Sequence, residues 1–113
     1  MTDKIVLVTT CESAAEAEKI ASALVENRLA ACVNILPGVS SVYRWKGSVD
    51  RASEIILLIK SSRPLLPRVQ AEIERLHSYE LPELIALPIV DGSERYLEWL
   101  GHGLTAMDEQ EQR

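Results

Sequence analysis

Seven consecutive residues, His77-Ser78-Tyr79-Glu80-Leu81-Pro82-Glu83, bring an imidazole, a phenol and two carboxylates into one short segment. Such groups ligate metal ions, relay protons or hydrogen-bond a partner, and Pro82 restricts the path that carries them. His77 has two readings. As a ligand it would be joined by Tyr79, Glu80 or Cys11, with Cys11 as the soft donor and Glu80 as the oxygen donor. That set favours copper, then zinc and other divalent cations, over magnesium or calcium. As a structural residue it stands in the last turn of a helix, a cation facing the negative end of the dipole. A single His lacks the repeated ligand spacing of a closed metal site. Glu80 and Glu83 sit either side of Pro82 in an extended segment, so they share no helix face and make a weak acid/base pair.

The two cysteines read differently. Cys32 lies within the apolar run Ala31-Cys32-Val33 and is expected as a small core residue. Cys11 falls at a strand-to-helix turn, where a helix N-terminus lowers a thiol pKa and favours the thiolate. Tyr43, Trp45 and Trp99 are expected to anchor an interface or the core rather than to cage a ligand. The sequence contains no Gly-rich phosphate loop, no Cys-x-x-Cys and no legible nucleophile–base pair, so no enzymatic activity is expected.

The elements that must position these groups follow from periodicity. Lys4 to Thr10 is a short β-branched run, a buried strand. Ser13 and Glu16 have capping-box spacing, and Ala17, Ile20, Ala21, Leu24 and Val25 mark one face of a helix ending near Asn27-Arg28. Ala31 to Lys60 reads as a long hairpin, bent or bulged at Pro37-Gly38, with turn residues over 47–53 and an apolar strand from Glu54 to Lys60. Pro64 and Pro67 introduce a second helix with Leu66, Val69, Ile73 and Leu76 on its apolar face. Leu84 to Val90 is a fourth strand, placed at an edge by Pro88. Ser93 caps a last helix bearing Tyr96, Leu97 and Leu100, and 108–113 is a polar tail expected to be disordered.

The order β-α-β-β-α-β plus a C-terminal helix is that of an α+β, ferredoxin-like sandwich. One antiparallel sheet carries both main helices on one face, in a single domain over 1–107. Two helices cover one face, yet Ile55 to Ile59 is apolar on both. The hairpin also carries Tyr43 and Trp45 far from any core. A homo-oligomer that pairs hairpins resolves both features. The 113 residues are 47% hydrophobic without a single Phe, so Leu, Ile, Val and Ala build the core. A net charge of −5 with scattered Lys and Arg argues against nucleic acid as partner. No apolar run approaches the roughly 18–20 residues of a membrane span, and the N-terminus shows no signal-peptide pattern. A cytoplasmic location is expected.

Four blocks, Arg28-Leu29-Ala30-Ala31-Cys32-Val33-Asn34, Pro37-Gly38 with Tyr43-Arg44-Trp45-Lys46-Gly47, the His77–Glu83 segment and Tyr96-Leu97-Glu98-Trp99, resemble the divalent-cation-tolerance (CutA) family. The likeness spans roughly residues 4–101, with Ser78 where the family usually has Pro. It implies a ferredoxin-like subunit, a homotrimer built through extended hairpins, and a non-enzymatic role in copper and divalent-ion tolerance. Of the metal positions proposed in the family, a first-strand Cys and a His pair ending the second helix, only His77 matches. Cys11 is the nearby substitute thiol. In such a trimer the segment from His77 to Glu83 is expected beside a neighbouring hairpin, with Tyr79, Glu83, Tyr43 and Trp45 at an inter-subunit cleft and Glu80 facing it. The alternative is a trimeric regulatory scaffold resembling PII proteins, which would hold a small anion in those clefts.

Overall fold

A computed structural model of the chain describes residues 2–105; the segment 108–113 lies outside them. The elements are β1 (Lys4–Cys11), α1 (Ala14–Glu26), β2 (Cys32–Trp45), β3 (Ser48–Ser62), a 3₁₀ turn at Arg63–Leu65, α2 (Leu66–Leu76), β4 (Ile85–Pro88) and α3 (Glu94–His102). The four strands form one sheet in the order β2-β3-β1-β4. Every neighbouring pair is antiparallel. This is the expected α+β arrangement, with β4 at an edge and Pro88 at its last position, where a missing N–H is tolerated.

Register explains which side is core. In β1, Ile5, Leu7, Thr9 and Cys11 point to one face and are buried. Their partners on β3, Ser61, Ile59, Leu57 and Ile55, share that face. Ala17, Ile20 and Leu24 of α1 and Val69 and Ile73 of α2 pack into the same cluster. The Ser61 hydroxyl donates to the Leu29 carbonyl at 2.6 Å, satisfying a buried acceptor where the chain leaves α1 for β2. The opposite face aligns Val6 and Val8 with Lys60 and Leu58 on one side and Leu87 and Ile85 on the other. Ile85 and Leu87 are about half exposed there.

Several boundaries differ from the sequence reading. The turn expected over 47–53 is only Lys46-Gly47, both at positive φ as a two-residue hairpin with strand-matched twist requires. β3 therefore starts at Ser48 and pairs back to Trp45. Asp50, Arg51 and Ser53 are ordinary strand residues that the exposed far half of the hairpin accommodates in water. The bend at Pro37-Gly38 is a register shift between Leu36 and Val39, with Gly38 at φ +80. Val25, expected on the core face of α1, is 42% exposed. Leu65, in the 3₁₀ turn that precedes α2, is fully buried. Cys32 is the first residue of β2 and only half-buried, opposite Lys60.

Candidate functional site

The ends of β1 and α2 and the start of α1 converge on His77. Its backbone is the C-cap of α2, extended at φ −80 and ψ 142, with its N–H closing on the Ile73 carbonyl at 2.8 Å. Its side chain has no solvent exposure. Both ring nitrogens are engaged. Nδ1 lies 3.0 Å from the backbone nitrogen of Tyr79, which can only donate, so Nδ1 is an acceptor. Nε2 then carries the proton and donates to the Thr10 carbonyl at 2.7 Å. His77 thus ends α2, as its structural reading has it, and its buried ring pins α2 to β1.

Glu16 completes this corner. Ser13 Oγ caps α1 by accepting the Glu16 N–H, half of the expected capping box. The Glu16 carboxylate does not return to Ser13. One oxygen accepts the Ser78 N–H at 2.9 Å. The other, Oε2, is buried with no hydrogen-bond partner and lies 3.8 Å from His77 Nδ1. Cys11, Glu16 and His77 each offer one ligand atom, all within 4.8 Å of one another. A thiol sulfur, an imidazole nitrogen and a carboxylate oxygen suit copper or zinc. The orphaned Oε2 is the kind of buried acceptor that a cation would satisfy.

The structure corrects one premise. Cys11 is the last residue of β1, wholly buried, rather than a loop residue at a helix start. Burial first, then the charges of Glu16 and Glu54, push its thiol from 9.0 up to about 11. The group is a protonated thiol at neutral pH, and a metal ion must displace that proton to bind it. Glu80, expected as the oxygen ligand, is exposed and lines a different depression. Glu16, read from sequence only as a capping residue, is the carboxylate that meets Cys11 and His77 instead.

That depression, about 560 Å³, adjoins the His77 corner. Tyr43, Trp45, Tyr79, Glu80 and Glu83 all line it, joined by Glu54. The Tyr79 hydroxyl donates to Glu54 Oε2 at 2.8 Å. Burial, this hydrogen bond and the charges of Glu54 and Glu12 raise the phenol well above its usual range. Thr10, whose carbonyl accepts the hydrogen bond from His77 Nε2–H, also borders the cleft. Glu54 escaped sequence reading because it merely opens an apolar run. Its pairing with Tyr79 spans 25 positions and leaves no local signal.

A profile described as CutA1 divalent ion tolerance protein matches residues 5–102. The chain belongs to the CutA1 family. The divalent-cation tolerance protein CutA of Thermus thermophilus is 47% identical over 98 residues, 87% of this chain and 94% of that one. The chloroplastic CutA of Arabidopsis thaliana is 46% identical over 96 residues, 85% of this chain and 53% of that one. The chain thus spans about half the length of this plant relative. Among solved structures, the Thermus thermophilus divalent cation tolerance protein superposes with a TM-score of 0.89 at 44% identity, covering 90% of this chain and 99% of that one. The CutA1 resemblance read from the four sequence blocks is the family that residues 5–102 show.

Proposed function

We propose that the chain acts in divalent-metal tolerance and homeostasis by binding the ion itself, copper first, as a cytoplasmic homotrimer without enzymatic activity. The observation that carries the metal reading is the Cys11–Glu16–His77 corner, where three ligand types meet beside an unpartnered buried carboxylate oxygen. Membership of a divalent-ion tolerance family supports the same direction. A trimer is supported by the half-exposed apolar face of β4 and by Val42, Tyr43, Trp45 and Val49, which remain exposed near the hairpin tip. The PII-like reading draws less support. Glu54, Glu80 and Glu83 line the cleft, and among the described residues no Lys or Arg does, so an anion would need positive charge from another subunit.

Calorimetric titration of Cu(II), Zn(II) and Mg(II) into wild type, His77→Ala, Cys11→Ser and Glu16→Gln tests the metal reading. Copper is expected to bind wild type best, magnesium not measurably, and each substitution to weaken copper by at least about tenfold, the lower end of what even an outer-shell partner contributes. Equal copper binding in all four proteins removes this corner from any metal site.

A further inference from the structure

The His77 ring has no lone pair to spare, and this dictates what a bound cation must disturb. Nδ1 is the nitrogen nearer the orphaned Glu16 oxygen, but its lone pair holds the Tyr79 N–H. A metal ion taken at Nδ1 displaces that N–H directly. A metal ion taken at Nε2 requires the ring proton to move to Nδ1, where it would face the Tyr79 N–H, donor against donor. Both routes break the same hydrogen bond. Tyr79 is also the residue that reaches into the cleft, through its hydroxyl on Glu54, and its ring lies 4.7 Å from the imidazole. Glu16, another of the three ligands, holds the preceding backbone nitrogen, that of Ser78. Two successive amides of one segment are therefore tied to two of the three ligand side chains.

We infer that Tyr79 couples the metal corner to the cleft: filling the Cys11–Glu16–His77 site releases the Tyr79 backbone and rearranges the cleft wall that it forms with Glu54. The inference rests on the metal reading above and adds a direction of signal to it. The Tyr79–Glu54 hydrogen bond closes one cleft wall, and capture at Nε2 would also free the Thr10 carbonyl of a residue that borders it. By linkage, a ligand that fixes Tyr79 against Glu54 lowers metal affinity by the same factor that the metal lowers its own.

The test uses the full-length protein labelled with ¹⁵N and Zn(II) as probe, since zinc is redox-silent and diamagnetic. Amide exchange at Tyr79 and Ser78 and the indole N–H shift of Trp45 are followed while calorimetry reports binding in parallel. Zinc at saturation is expected to accelerate Tyr79 exchange at least about fivefold, the factor for loss of one hydrogen bond, and to shift the Trp45 signal. Tyr79→Phe keeps the backbone N–H but removes the hydroxyl. It is expected to bind zinc and speed exchange at position 79 while the Trp45 shift is lost. Calorimetric binding with unchanged Tyr79 exchange in wild type overturns the coupling and leaves the metal reading standing. A Trp45 shift that persists in Tyr79→Phe removes Tyr79 as the link. Absence of binding heat together with unchanged exchange overturns both.

Discussion

At Cys11 the fold keeps a proton that the unfolded chain would release. The sulfur is buried at the end of β1 with Glu16 and Glu54 nearby, and its pKa rises to about 11. Because the folded pKa exceeds the unfolded one, the stabilisation is complete below about pH 9. It is lost as pH rises through 9 toward 11, where only the folded state still holds the proton. Tyr79 acts with the same sign at higher pH, since its phenol is also raised. The rise at Cys11 corresponds to roughly 2–3 kcal/mol at most. Urea midpoints for wild type are expected to fall between about pH 8 and about pH 10.8 by more than those of Cys11→Ser, which lacks the thiol. Equal falls in the two proteins contradict this account of the thiol. The sequence made Cys11 and His77 conspicuous but misjudged the thiol's state and left the ring's role open. A thiol's burial and a ring's hydrogen-bond partners come from β1, α1 and α2 together, and no local pattern encodes them.

The elements show where periodicity suffices and where it fails. Ile20, Leu24, Val69 and Ile73 recur at helical spacing, and each is buried as that spacing predicts. Val25 obeys the same rule and is exposed, because the stripe facing the sheet is narrower than its i+8 edge. The hairpin turn was misplaced for the opposite reason. Asp50, Arg51 and Ser53 look like loop residues, yet a strand that stands clear of the core can be polar throughout. Leu65 is the most instructive miss. It sits one position before α2, so a helical count begins at Leu66, but the Arg63–Leu65 turn swings Leu65 fully into the core while Leu66 is only partly buried. Leu65→Ala is accordingly expected to cost about 2–5 kcal/mol, and Leu66→Ala clearly less. Denaturant unfolding of the two variants checks the order, and a larger loss for Leu66 contradicts the burial argument.

The whole molecule is too extended for its length. Its radius of gyration is 15.0 Å and its longest dimension 46 Å, whereas a compact domain of this size would have a radius of about 13 Å. The excess comes from the far half of the β2–β3 hairpin, where Val42, Tyr43, Trp45 and Val49 are 39–62% exposed. Ile85 and Leu87 on the edge strand β4 add further exposed apolar surface. A monomer would leave that area in water, and copies that cover each other's hairpins bury it. Such an assembly would link folding to association, and its stability would then depend on concentration. Light scattering after gel filtration is expected to give about three times the 12.6 kDa chain mass at micromolar concentration. Trp45→Glu places a charge among these apolar residues and is expected to lower both the assembled fraction and Tm, with the Tm loss shrinking as protein concentration rises. A 12.6 kDa wild-type species under those conditions refutes the trimer. A Trp45→Glu protein that assembles as tightly as wild type shows instead that the hairpin tip lies outside the contact, leaving the β4 face to hold the copies together.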